Sequence, residues 1–292
     1  MSQRPSCVVN IADIPAEPRP RYTAPPGVAA MVRSPGDKTG LTRMGVHVRA
    51  IEPGLAGTNR HFHTVEEEWS YVLAGKGTVR IGPLRIAVHA GSFVGFPPGP
   101  RPHHFLAEGT SSLVLLEGGE RRPSEDSHWY PDARKQGFHG KTVEPYQEPP
   151  PEEGDAGQVV DSLVVPVQEV RHDLDAEVLR RTRTLHTPTG LTRQAVRLVE
   201  LAAGGRSTVL HTHDRTDEWV FIRAGRAVAQ VGDATFEVGP DDFLGYPAGG
   251  PAHLLTALEP LTYLVGGQID ATDVVTYPLQ GKRRIGGRLE PL

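Results

Sequence analysis

His61-Phe62-His63-Thr64-Val65-Glu66-Glu67-Glu68-Trp69 has a twin further along the chain, His211-Thr212-His213-Asp214-Arg215-Thr216-Asp217-Glu218-Trp219. In both stretches two histidines stand two residues apart. On a β-strand, residues i and i+2 point to the same face, so both imidazoles enter one space. A short loop and a glutamate follow. The two stretches are offset by 150, and the same offset governs much of the rest of the chain.

Thr39-Gly40-Leu41-Thr42-Arg43 returns as Thr189-Gly190-Leu191-Thr192-Arg193, and Ala74-Gly75 as Ala224-Gly225. Gly95, Pro97, Gly99 and His103 return as Gly245, Pro247, Gly249 and His253. A gap-free register over so many unlike residue types marks a duplication, with two copies folded alike. The 292 residues suffice for two domains with a core each. The Pro/Glu run Glu144 to Gly154 reads as a stiff, solvated linker that cannot enter a sheet. The expected division is an N-terminal extension over 1–29, a first barrel over 30–145, a linker and lead-in over 146–179, and a second barrel over 180–292.

Short apolar runs bounded by glycine, with 33 Gly, 27 Pro and 6% aromatic residues, predict an all-β fold. Tyr71-Val72-Leu73, Ala74-Gly75-Lys76-Gly77 and Thr78-Val79-Arg80-Ile81 read as strand, hairpin turn and strand of a barrel or sandwich. Trp69 and Trp219, on the opposite strand face from the glutamates before them, are expected to pack in the barrels.

His103 follows a turn built from Pro97, Pro98, Gly99 and Pro102, on a strand able to close back beside His61 and His63. Three neutral imidazoles and one carboxylate suit a divalent first-row metal (Fe, Mn, Ni, Cu or Zn) and not Ca or Mg, which favour oxygen. The duplication selects among adjacent candidates. Glu66, Glu67 and Glu68 correspond to Thr216, Asp217 and Glu218, and His103-His104 to His253-Leu254. The predicted ligands are His61, His63, Glu68 and His103 in one copy and His211, His213, Glu218 and His253 in the other, with up to one metal per barrel.

The pattern Gly54 … His61-Phe62-His63 … Glu68 … Gly75, then Gly91 … Pro97-Pro98-Gly99 … His103, resembles the two motifs of the cupin superfamily. The second copy resembles them again. Gly40-Leu41-Thr42-Arg43 with Tyr130-Pro131-Asp132 and Lys135 is similar to a group of bacterial cupins whose activity is largely unassigned. The resemblance implies two tandem cupin barrels of the double-stranded β-helix, or jelly-roll, type with the metal inside. It implies no substrate, since cupins include dioxygenases, decarboxylases, isomerases, sugar binders and storage proteins.

One expectation is a metal-dependent enzyme, a dioxygenase-type oxidoreductase or related lyase acting on a small organic molecule. Another is a metal-containing small-molecule or sugar binding protein without turnover. A storage-type protein ranks last, because both ligand sets survive. His104, Tyr130 and Tyr277 are candidates for handling protons. Ser70, Phe96, His104 and Phe105 in the first copy, and Tyr246 and Leu255 in the second, are candidates for the substrate pockets. They predict a more aromatic, hydroxyl-bearing first pocket and a more aliphatic second one.

A net charge of −4 offers no basic stripe for a nucleic acid. Cys7 is the only cysteine, which excludes an internal disulfide and thiolate metal sites. No apolar run suits a signal peptide or a bilayer span, so the expected compartment is the cytoplasm, without membrane partners. Assembly into a homo-oligomer is compatible with this composition.

Overall fold

The computed structural model of the protein describes residues 4–19, 26–138, 144–145, 163–175 and 180–292. Strands dominate, and among the described residues helical structure is confined to single turns such as Pro35–Lys38. No helix there is long and apolar enough to cross a membrane. Of the expected linker, residues 146–154 lie outside the described part. Glu144–Pro145, counted with it, instead forms a short strand pairing with Lys135 and Gln136. Proline is tolerated there because the position is a sheet edge.

Each copy builds a seven-stranded and a three-stranded antiparallel sheet whose apolar faces share one core. In the first copy the large sheet runs Val164–Pro166, Ser92–Phe96, Glu68–Ala74, Leu113–Glu120, Met44–Ile51, Ala30–Arg33, Glu17–Arg19. The small sheet runs His103–Glu108, Lys76–Ile81, Leu84–His89. Alternation is clear in Lys76–Ile81, where Gly77, Val79 and Ile81 are buried and their neighbours are not. Val72, Val94 and Leu115 from one sheet meet Val79, Ile81 and Phe105 from the other. The second copy repeats the order strand for strand. This is the double-stranded β-helix, or jelly-roll, expected from the motifs, twice.

The expected hairpin at Ala74-Gly75-Lys76-Gly77 is a corner instead. Glu68–Ala74 pairs with Leu113–Glu120 and Ser92–Phe96, whereas Lys76–Ile81 pairs with His103–Glu108 and Leu84–His89. The chain passes from one sheet to the other at Gly75. Its φ is +81°, and a Cβ there would lie 2.3 Å from the Ser112 carbonyl oxygen. Gly225 turns the same corner in the second copy.

The two copies exchange strands. Val8–Asn10, in the expected N-terminal extension, pairs with Asp242–Leu244 of the second copy. Val164–Pro166, in the expected linker, pairs with Ser92–Val94 of the first. The positions are equivalent, and Val8 and Leu163 join the interior clusters of the barrels they cross to. The sequence carries a trace of this in Val8-Val9-Asn10-Ile11-Ala12-Asp13-Ile14 against Val164-Val165-Pro166-Val167-Gln168-Glu169-Val170. The offset there is 156, which hides it from a search at 150.

A third apolar cluster lies between the barrels and draws on both. Trp69 and Trp219, expected to pack each in its own barrel, meet there face to face. Polar contacts ring them. The buried Glu67 carboxylate accepts the backbone N–H groups of Thr192, Arg193 and Gln194. Asp217, its counterpart, accepts those of Thr42 and Arg43. The repeated Gly-Leu-Thr-Arg motif is thus an interface element, and the acid just before each site glutamate is its receptor.

Candidate metal centres

The candidate ligand histidines are placed by backbone pairing. His61 N–H donates to the His103 carbonyl and His103 N–H to that of His61, at 3.2 and 2.8 Å. His211 and His253 form the same reciprocal bridge. Glu68 opens the adjacent strand of the large sheet, opposite Phe96. In the first copy a Glu68 carboxylate oxygen lies 3.6, 3.5 and 3.1 Å from Nε2 of His61, His63 and His103. In the second, Glu218 lies 3.6, 3.2 and 3.5 Å from Nε2 of His211, His213 and His253.

All six imidazoles are held from behind. Nδ1 of His61 and His103 faces the carbonyls of Asn59 and Arg101, and Nδ1 of His211 and His253 those of Val209 and Pro251. Nδ1 of His63 lies 2.6 Å from Asp126, and that of His213 lies 2.6 Å from Asp273. A carbonyl or carboxylate behind Nδ1 fixes the proton there and leaves Nε2 with its lone pair toward the common point. Aromatic rings set the remaining angle. Phe96 stacks on His103 at 3.8 Å and Tyr246 on His253 at 3.6 Å. Tyr130 lies over His61 and Tyr277 over His211.

These residues fit a divalent metal. Nε2 of His253 is buried without a hydrogen-bond partner, a cost that coordination would remove. The electrostatics agree. Burial opposes ionisation of Glu68, but the surrounding histidines outweigh it and hold the carboxyl well below its usual range. Burial likewise opposes charge on His63, yet Glu68 and Asp126 push it up to about 9. His213 is raised to about 8 by Glu218 and Asp273 against the same burial. A site that attracts this much positive charge suits a cation. Each copy therefore holds the donor set for one divalent metal.

Asp126 and Asp273 lie outside the motifs that the sequence displays. They sit at an offset of 147, each four residues before a Tyr-Pro pair, Tyr130-Pro131 and Tyr277-Pro278. That shared spacing is the signal that could have found them. His104 stands apart from the ligand cluster, with Nδ1 on the Thr58 carbonyl.

Each site opens into a cavity. The first, of about 280 Å³, is lined by Ser70, Phe96, His104 and Phe105 as well as His61, Glu68 and His103. The second, of about 600 Å³, includes Tyr246, Leu255 and Tyr277 beside His211, His213, Glu218 and His253. Its lining includes the aliphatic side chains Val199, Val220, Leu254 and Val265. Tyr263, Arg180, Arg197 and Arg284 also reach it, from strands remote in sequence from the motif.

The cupin domain family matches the chain twice, over 47–118 and 197–265, and the protein is a tandem cupin, a bicupin. Solved bicupins share the whole architecture. A mutant of oxalate decarboxylase from Bacillus subtilis is 18% identical, with a TM-score of 0.63 over 94% of this chain and 80% of that one. Oxalate decarboxylase from Lactobacillus farciminis, with formate, is 14% identical, with a TM-score of 0.60 over 92% and 87%. A protein provisionally assigned as a sugar phosphate isomerase, from Acidithiobacillus ferrooxidans, is 37% identical over 41% of this chain and 78% of its own, with a TM-score of 0.39. No curated protein sequence matches the chain.

Proposed function

We propose that this bicupin is a metal-dependent enzyme, an oxygenase or related lyase, acting on a small organic molecule, with its working units in 30–145 and 180–292. The observation that carries this reading is the opening of each His/Glu cluster into a cavity, lined by His61, Glu68 and His103 in the first copy and by His211, His213, Glu218 and His253 in the second. A structural metal site closes its coordination with protein, whereas a catalytic one leaves a face for substrate or water. Bound there, a divalent first-row metal supplies Lewis acidity and, where redox-active, electrons.

The chain itself binds and orients. Phe96 and Tyr246 lock the third histidine of each site against rotation, and Asp126 and Asp273 fix the tautomer of the second. Tyr277 roofs His211 at the cavity wall, where its hydroxyl can hold or return a proton. The solved neighbours that are oxalate decarboxylases support the lyase branch, by fold only.

The test is O₂ uptake and CO₂ release by the metal-loaded protein across keto acids, hydroxy-aromatic acids, diketones and dicarboxylic acids. O₂ uptake selects the oxygenase and anaerobic CO₂ release the lyase. Saturable, metal-dependent binding without turnover of any compound would replace both with a binding protein.

A further inference from the structure

The two cavities adjoin equivalent ligand sets and differ in the charged side chains that line them. Strand pairing fixes which residues are equivalent. His47 stands opposite Glu117 in the first copy, and Arg197 opposite Val265 in the second. His128 stands opposite Gly137, and Val275 opposite Arg284. Arg180 pairs with Asp175 at the position where Ala30 pairs with Arg19. So Arg180, Arg197 and Arg284 enter the second cavity at positions held by Ala30, His47 and Gly137 in the first. One acid is lost, with Val265 in place of Glu117, while Asp173 and Asp175 also line the second cavity.

These differences are mutually fitted. In the first copy the His128 ring lies against Gly137, where a Cβ would come within 2.1 Å of its Nε2. The smaller Val275 makes room for Arg284. The first cavity's own strand arginine, Arg49, is bound to Glu117 at 2.8 Å and to the Gly57 carbonyl at 2.9 Å. Its place in the second copy is Val199. In the second cavity, Arg180 is braced by Asp175 and the Ser207 carbonyl. Arg197 and Arg284 line the cavity, and among the described residues no carboxylate or carbonyl is hydrogen-bonded to either guanidinium.

We propose that the second cavity is the one that binds substrate as a carboxylic acid with two negative charges, held by Arg197 and Arg284 beside the His211/His213/Glu218 site. This rests on the enzymatic reading above and names its substrate class. Guanidinium binds a carboxylate through paired N–H donors, and two unpaired guanidinium groups match a dianion. A cavity of about 600 Å³ suits a small ligand. The first cavity's two arginines, Arg49 and Arg121, are already held by Glu117 and Asp37, so it lacks the feature.

The test is calorimetric titration of the metal-loaded full chain at fixed ionic strength with succinate, its neutral diamide and glycerol 3-phosphate. Succinate is expected to saturate one site per chain and the diamide none. Arg197→His with Arg284→Gly, which installs the first copy's residues, is expected to weaken succinate roughly tenfold or more with metal content unchanged. If that pair fails to fold, Arg197→Gln alone is expected to weaken it in the same direction, and Arg49→Gln is expected to have no effect. Equal binding of succinate and the diamide, or undiminished binding in the variants, overturns the inference. Tighter, arginine-dependent binding of glycerol 3-phosphate overturns the choice of a carboxylic acid. Arginine-dependent succinate binding with no turnover of any acid leaves this inference standing and removes the enzymatic reading. Turnover of a neutral substrate, unchanged in the variants, does the reverse.

Discussion

The indole of Trp69 lies on the indole of Trp219, centroids 5.1 Å apart and planes 15° from parallel. Each follows a site glutamate, Glu68 or Glu218, and each is almost wholly buried, at 1% and 0% exposure. Strand parity sends the glutamate into its own barrel and the tryptophan out to the other. Trp69→Ala should therefore cost about 3–5 kcal/mol, as large aromatic truncations in packed cores do. Chemical denaturation measures this. A loss under about 1 kcal/mol would mean that the stack contributes little to holding the barrels together.

The ring of polar contacts gives a second expectation. Glu67, 1% exposed, accepts three backbone N–H groups from the other copy. Glu67→Ala would leave the buried Gln194 N–H and the less buried donors of Thr192 and Arg193 without their acceptor, at a cost of about 2–4 kcal/mol. Asp217→Ala should act alike from the other side. Because Glu67 is not among the proposed ligands, metal content measured by elemental analysis should stay the same in the folded variant.

His63→Ala together with His213→Ala should give a folded, metal-poor protein, because the barrel cores do not depend on the site. Circular dichroism and elemental analysis distinguish that from unfolding, and full metal content would refute the ligand assignment. Asp126→Asn and Asp273→Asn should lower metal affinity by roughly 10–100-fold without abolishing it, since each orients a ligand rather than being one. Metal should also leave steeply in acid, because three imidazoles per site must be neutral to bind.

A pH effect on stability is expected away from the metal sites. His186 is buried, and its Nδ1 lies 3.1 Å from both the Val196 N–H, from which it can accept, and the Val196 carbonyl, to which it can donate. Burial is the main cause that holds its pKa below 6.5, and Arg197 adds to it. In the unfolded chain the ring takes a proton near 6.5, so below that value the unfolded state binds more protons than the folded one. Stability attributable to His186 is complete above about pH 6.5 and is lost as pH falls from there through the lower folded value. Comparing thermal unfolding from about pH 7.5 to about pH 5 with and without His186→Gln, in the metal-poor background, should show a shallower slope in the variant. Identical slopes would exclude His186 as a contributor.

Much of the candidate site could be read from the chain. Histidines two apart on a strand must share a face, and duplication in register separated Glu68 from Glu66 and Glu67, and His103 from His104. Other features could not be read so. A glycine between two apolar runs looks the same at a hairpin and at a corner, and only pairing with strands tens of residues away made Gly75 a corner. Asp126 and Asp273 fell outside the 150-residue register because a shorter segment precedes them in the second copy.

The sequence by itself determined the duplication, the β-class of the fold, the cupin motifs and the eight candidate metal ligands, because these depend on local periodicity and on a comparison of the chain with itself. The tertiary structure alone decided that Val8–Asn10 and Val164–Pro166 cross between barrels, that Trp69 meets Trp219, and that Arg180, Arg197 and Arg284 gather at one site. Those residues are far apart in the chain. Their meeting depends on sheet register and on the apposition of two barrels, which are set by the sum of many long-range contacts and leave no periodic mark on any single segment.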